Sequence, residues 1–254
     1  MTFNVRGFQI GGVPFRKRIR QLYELVEAEQ YDEIHLQEVY TYGMLKVLRN
    51  HLCATFPHVV YAKGTCGPKA GLVSFFRTTP RKMEFCRLPA SPLARLDVMG
   101  LVPYVHKGVL VTELESGELR FNLHLDPDHS GEWKVDSPAS RLIAVQLEEV
   151  RKVAMRKRQN GGKWFVVVGD FNLPITTPLY TNFLRQLEAT DALEGNTHPT
   201  FHQAFLPEGR AAQQIDHVLI WPKPANATAR LVLGDSRDGI YASDHLGIVV
   251  TFRR

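Results

Sequence analysis

The run WFVVVG, Trp164 to Gly169, carries apolar side chains on both faces of an extended segment, and a strand of that kind is stable only when other layers cover both sides. An exposed single sheet is thereby excluded. Short apolar or alternating runs bounded by turn residues predict further strands over Glu33 to Val39, Gly71 to Phe76, Gly108 to Leu114, Leu119 to Leu125, Gln214 to Ile220 and Gly247 to Phe252.

Helical periodicity places Ile19, Leu22, Tyr23 and Val26 on one face, and Met44, Val47, Leu48 and Leu52 on another. Ser137 can cap a third helix whose first turn accommodates Pro138 and whose inner side carries Ile143, Leu147, Val150 and Ala154. Thr177 and Pro178 open a fourth, with Phe183, Leu184 and Leu187 turned inward. Strands and helices mix without strict βαβ alternation, so the expected architecture is α/β, with two packed sheets and helices outside them. No repeat or linker-like tract divides the 254 residues, which are expected to form one domain over 1–254.

The same strands end in residues that break their own pattern, and buried polar groups are costly unless partnered. WFVVVGDFN ends in Asp170 and Asn172, an acid and an amide able to orient a water and a phosphate oxygen, although both are also common turn formers. YASDHLGIVV sets Asp244 and His245 before the last strand, and histidine is the side chain most easily poised for proton transfer near neutral pH. EIHLQEV ends in Gln37 and Glu38, the latter a candidate ligand for a hard divalent cation and otherwise a solvated strand end. TFN adds Asn4, FNLHL adds His124, and IDHVLI adds Asp216 and His217. Six such interruptions point to one shared site.

In order and approximate spacing, TFN, LQE, NLHL, GDFN, IDH and SDH resemble the signature of the endonuclease/exonuclease/phosphatase superfamily, the DNase I-like proteins. The resemblance runs from Asn4 to His245 and implies a four-layer α-β-β-α sandwich and a metal-dependent phosphoric ester hydrolase. It implies that Glu38 binds the metal directly with Asn4 assisting, and that Asp244 lies near it. His124 and Asn172 would contact the scissile phosphate, Asp170 would orient or deprotonate the attacking water, and Asp216 would orient His245, which faces the phosphate. Mg²⁺ is the expected cofactor, with Mn²⁺ as a substitute. His217 departs from the aromatic residue common at its position and is expected only to pack.

Superfamily members act on nucleic acids, inositol phosphates and phospholipids. Here KAGLVSFFRTTP, Lys69 to Pro80, and YVHKGVLVTEL, Tyr104 to Leu114, look like the neutral sphingomyelinase branch, with Lys107 a fixed positive charge near the substrate or else an ordinary strand-end lysine. The stretch Leu93 to Val102 offers apolar surface for a lipid chain, or packs within its own domain. A net charge of +5 suits an anionic partner, and RKRIR (Arg16 to Arg20) and RKVAMRKR (Arg151 to Arg158) keep a nuclease as the alternative. Both clusters nevertheless read as solvated helix faces. A phospholipase C-like phosphodiesterase is therefore placed ahead of a nuclease, a small phosphomonoesterase third, and a non-catalytic binding module last.

The expected partner is a phosphodiester, a phospholipid head group or nucleic acid, with peripheral membrane contact possible in the first case. No obligate protein partner is read, and a monomer is expected. Three unpaired cysteines and the lack of a signal-like start favour the cytoplasm unless a leader has been trimmed, and no run approaches the roughly 18–20 apolar residues of a membrane span.

Overall fold

The computed structural model describes residues 1–7, 12–89 and 106–253. The strands run β1 (Thr2–Asn4), β2 (Glu33–Gln37), β3 (His58–Val60), β4 (Val73–Phe76), β5 (Pro80–Arg87) and β6 (Gly108–Leu114). They continue as β7 (Leu119–His124), β8 (Phe165–Asp170), β9 (Thr190–Asp191), β10 (Asp216–Trp221), β11 (Asn226–Val232) and β12 (Gly247–Arg253). Helices α1 (Phe15–Arg18), α2 (Arg20–Ala28), α3 (Tyr42–Leu52), α4 (Pro138–Gln159) and α5 (Pro178–Leu187) complete the described elements. Two mixed six-stranded sheets result, in the orders β11-β12-β1-β2-β4-β3 and β5-β6-β7-β8-β10-β9.

Helices α4 and α5 begin where the sequence places their caps, and Thr41 caps α3 in the same way. Thr41, Ser137 and Thr177 each accept a hydrogen bond from the backbone N–H three residues on, and Pro138 and Pro178 occupy the first turns. Helices α1, α2 and α3 cover the outer face of the first sheet through Ile19, Leu22, Val26, Leu45 and Leu48 against Phe3, Ile34, Leu36 and Phe75. Helices α4 and α5 cover the second through Ile143, Leu147, Val150 and Phe183 against Phe121, Leu123, Phe165 and Val167. Between the sheets lie Val166, Val168, Val218, Ile220 and Ile248. Val166 to Val168 thus meet helices on one side and the other sheet on the other, the two-sided cover their sequence demands.

Polar bonds fasten the two sheets. Asn122 on β7 donates to the carbonyls of Leu36 at 3.1 Å and Val73 at 3.2 Å and accepts from Gln37 at 2.8 Å, all across the inter-sheet layer. A buried Arg120 bridges Glu33 at 2.5 Å and Glu118 at 3.0 Å.

All seven expected strands form, with small shifts at their ends. Strand β2 stops at Gln37 because Glu38 turns left-handed at φ 65°. Strands β3, β5, β9 and β11 were not expected, and each is an edge strand or, for β9, a two-residue edge. Edge strands need only one paired side and carry exposed residues, as β5 does with Arg81, Lys82 and Met83, so their hydrophobic pattern is weak. The Leu93 to Val102 stretch lies outside the described residues.

Candidate active site

Strand register brings the flagged residues to one end of the sandwich. In the second sheet β7 runs parallel to β8 with His124 opposite Asp170, and β10 runs antiparallel with Asp216 opposite Asp170. Three chemically able side chains therefore stand abreast on adjacent strands. In the first sheet β1 and β2 are parallel with Asn4 opposite Gln37, so Glu38 follows directly beyond Asn4. Gly169 makes this packing possible: its φ is 138°, and a Cβ there would lie 2.0 Å from the Leu123 carbonyl oxygen.

Asn4 is the hub. Its Nδ2 donates to Asp170 Oδ2 at 2.9 Å and to Glu38 Oε1 at 3.2 Å, and lies 3.5 Å from His245 Nε2. Its Oδ1 accepts from the Arg6 backbone N–H at 2.9 Å. His245 Nδ1 donates to Asp216 Oδ2 at 2.8 Å, while its Nε2 faces Asp170 Oδ2 at 3.7 Å. His124 Nε2 lies 3.5 Å from Asp170 Oδ2, 4.0 Å from Glu38 Oε1 and 2.8 Å from Lys107 Nζ. Asn172 gives its backbone N–H to Asp170 Oδ1 at 2.9 Å and one amide hydrogen to the Leu125 carbonyl at 3.0 Å. Asp244 is turned toward Arg6 at 3.2 Å and accepts from Ser243 at 3.1 Å. The nine residues singled out from sequence thus form one connected network, with Asp244 joined through Arg6.

Burial and charge set the protonation states. Burial pushes the Asp170 carboxyl up to about 7, with Asp216 adding to the rise and His245 and Asn4 opposing it. Burial alone would lower His245, but the Asp216 and Asp170 carboxylates outweigh it and hold the imidazole well above its usual value. Burial, then Lys107 and His245, pushes His124 well below the usual histidine value. Lys107 is itself lowered by burial, against the pull of Glu38, Asp126 and Asp170. The site therefore holds a charged histidine beside a carboxyl that titrates near neutrality.

Asp170, Asp216 and His245 bring one ligand atom each within 4.8 Å of one another. This trio is a poor cation site, because metal binding requires a deprotonated ring and both carboxylates favour the imidazolium. Glu38 fits a hard divalent cation better. Its side chain retains 17% exposure, accepts from Asn4 and from the Gly7 N–H at 2.9 Å, and converges with Asp170 near His124.

One supporting residue contradicts its sequence reading. Arg18, expected on a solvated basic face, is buried and donates to the carbonyls of Val5 at 3.1 Å, Arg6 at 2.7 Å and Ala242 at 2.7 Å. It ties the turn after Asn4 to the turn before His245. The apolar Ile19 and Leu22 beside it gave no sign of this; only a lysine- and arginine-rich first turn was readable.

A scan of protein-family models gives no match, and no curated protein sequence matches this chain. Solved structures do match. Beta toxin from Staphylococcus aureus superposes with TM-score 0.76 at 15% identity, covering 99% of this chain and 98% of that one. Sphingomyelinase C from Streptomyces griseocarneus gives TM-score 0.74 at 15% identity, covering 100% and 98%. TDP2 from D. rerio, complexed with a single-strand DNA product, gives TM-score 0.71 at 16% identity, covering 100% and 97%.

Proposed function

We infer from the DNase I-like fold, which this chain shares with those structures, together with the chemistry at its strand ends, that the protein is a metal-dependent phosphodiesterase. The observation that carries this reading is the meeting of Asp170, His245 and Glu38 around the single amide nitrogen of Asn4.

Glu38, assisted by Asn4, would hold the divalent cation, Mg²⁺ or Mn²⁺, with Asp244 nearby; once bound, the ion neutralises charge on the phosphate oxygens. Asp170, fixed through both carboxylate oxygens by Asn4 and Asn172, accepts a proton from the attacking water at Oδ2 or Oδ1 as its pKa near 7 permits. His245, charged through Asp216, presents Nε2–H to the phosphate and can give that proton to the departing oxygen. Asn172 has one amide hydrogen left for a phosphate oxygen. Lys107, donating to the neutral His124 ring, supplies a positive charge beside the substrate.

The substrate we propose is a phospholipid head group. The nuclease alternative rests on the net basic charge and on the runs Arg16 to Arg20 and Arg151 to Arg158; in the first Arg18 is buried, and the second is largely paired with acidic neighbours. Arg151 pairs with Glu148 at 2.7 Å, Lys152 with Glu149 at 2.7 Å, Arg156 and Lys157 with Glu84 at 2.5 Å and 2.6 Å, and Arg158 with Glu188 at 2.8 Å. A face so paired has little charge left for counterion release from nucleic acid. The single-strand DNA product in the TDP2 structure keeps nucleic acid as the second reading. No described helix is long and apolar enough to cross a membrane, so lipid would be met from the surface.

Turnover of bis-p-nitrophenyl phosphate tests the chemistry: it should require a divalent ion, stop in excess EDTA and return with Mg²⁺ or Mn²⁺. Absence of any turnover would leave a binding module. Phosphocholine release from sphingomyelin, compared with plasmid nicking at equal enzyme and Mg²⁺, tests the substrate. Salt-sensitive nicking without head-group release would overturn the lipid assignment and keep the mechanism.

A further inference from the structure

Asp216 and His217 are neighbours on β10 and therefore face opposite sides of the second sheet. Asp216 meets His245 between the sheets. His217 is fully buried on the helix side, against Tyr180 of α5 with ring centroids 4.3 Å apart and against Phe171 at 5.2 Å. A packing role would need only an apolar ring there, yet both ring nitrogens are engaged. Nε2 reaches the Leu173 carbonyl at 2.8 Å and Nδ1 reaches Asp191 Oδ2 at 3.3 Å. A carbonyl oxygen only accepts, so Nε2 donates to Leu173, while Nδ1 faces the Asp191 carboxylate. Asp191 is in turn held by the Tyr180 hydroxyl and by the Leu193 N–H at 2.9 Å.

The carbonyl just before Leu173 is also held. Trp133, from the segment after β7, donates its indole N–H to the Asn172 carbonyl at 2.9 Å. Trp133 is itself placed by Asp128, which accepts its backbone N–H at 3.0 Å and those of Ser130 at 2.9 Å. Two consecutive peptide carbonyls are thus gripped by ring N–H groups from separate parts of the chain. Asn172, which carries the first of these carbonyls, sits at φ 50°, a left-handed conformation that a non-glycine residue keeps only when its surroundings enforce it. The backbone N–H of this same residue meets Asp170 Oδ1, so the held segment also contacts the carboxylate.

We propose that Trp133 and His217 are positioning residues, a two-sided clamp on the segment 171–173 that fixes Asn172 and, through it, aims the Asp170 carboxylate. The role of the clamp in turnover rests on the phosphodiesterase reading; its existence does not.

Hydrogen exchange and kinetics on the full chain test the two parts separately. Trp133→Phe and His217→Phe keep an aromatic ring and remove the donors, whereas His217→Gln restores one donor. Each Phe variant should speed exchange of the amides at 171–173 by about tenfold, the loss of one hydrogen bond, with α4 and β8 protection unchanged. On bis-p-nitrophenyl phosphate each should lower kcat by roughly tenfold with KM nearly constant, because the clamp aims a reacting group rather than binding substrate. His217→Gln should recover part of both effects, and the double variant should lose less than the product of the single losses, since both residues hold one segment. Unchanged exchange at 171–173 in both Phe variants overturns the clamp. Faster exchange with unaltered kcat overturns its positioning role. A wild-type protein with no turnover refutes the phosphodiesterase reading instead, and the exchange result still decides whether the clamp exists.

Discussion

Asp216→Asn removes one charge at constant size, 2.8 Å from His245 Nδ1. In the native site burial works against the imidazolium, and Asp216 is the larger of the two carboxylate influences that overcome it, Asp170 standing farther off at 3.7 Å. An opposite charge at such range favours the charged ring, so the His245 pKa should fall when it is removed. The sign follows from the direction of the native shift. A raised histidine keeps its proton to higher pH, so removing the cause makes it lose the proton at lower pH. Asp170 also loses a like-charged neighbour while His245 is still charged, so its own pKa, about 7 in the native site, should fall as well. The whole pH–rate bell should therefore move toward acid, with maximal kcat reduced by roughly 10²–10⁴ through loss of the oriented donor. An NMR titration of His245 in metal-free wild type and variant measures the first effect, and kcat across pH measures the second. An imidazole pKa that stays where it was, or a bell that moves toward alkali, would refute the reasoning.

Glu38→Gln should raise the Mg²⁺ concentration needed for half-maximal turnover by at least tenfold with little change in melting temperature, read by metal titration of rate and by calorimetry, since its carboxylate sits at a strand end and keeps some exposure. Asp170→Asn and His245→Ala should each cost several orders of magnitude in kcat, and the double variant should cost far less than the product, because both act on one transition state. Away from the site, burial pushes the Glu33 carboxyl up but Arg120 at 2.5 Å outweighs it and holds it well below the usual range. The stabilisation this supplies is complete above the unfolded carboxyl pKa and is lost as pH falls below about 4. Glu33→Gln should therefore lower the melting temperature at pH 7 and flatten its decline in acid; an equal decline in both proteins would refute the assignment.

Much of the fold was legible because its central strands must be covered twice. The stretch Phe165 to Val168 has no polar face, and neither β6 nor β7 can be solvated on both sides, so two sheets with outer helices followed from pattern alone. The edge strands escaped because one-sided pairing relaxes the pattern: Asn226 to Val232 is largely exposed, and no residue of Pro80 to Arg87 is fully buried. The same contrast governs the site. Asn4, Glu38, His124, Asp170, Asp216 and His245 could be found because each interrupts an apolar run, and register then sets them abreast.

Residues that hold the site without interrupting a pattern gave no such signal. Arg18 lies in a run of basic residues, and its burial is matched by the carbonyls of Val5, Arg6 and Ala242, which converge on it from turns as far as 224 positions away along the chain. Trp133 stands in a segment without periodicity. His217 interrupts its strand no less than Asp216 does, but faces the opposite side of the sheet, and alternation alone cannot say which side carries the chemistry. The distinction comes from what each side packs against: Asp216 meets a second sheet whose strand ends supply Asn4 and His245, whereas His217 meets helix α5 and the backbone of the segment it holds. Chemistry and support thus occupy opposite faces of one strand, and a substitution on the support face should change the rate only through the geometry of the residues across the sheet.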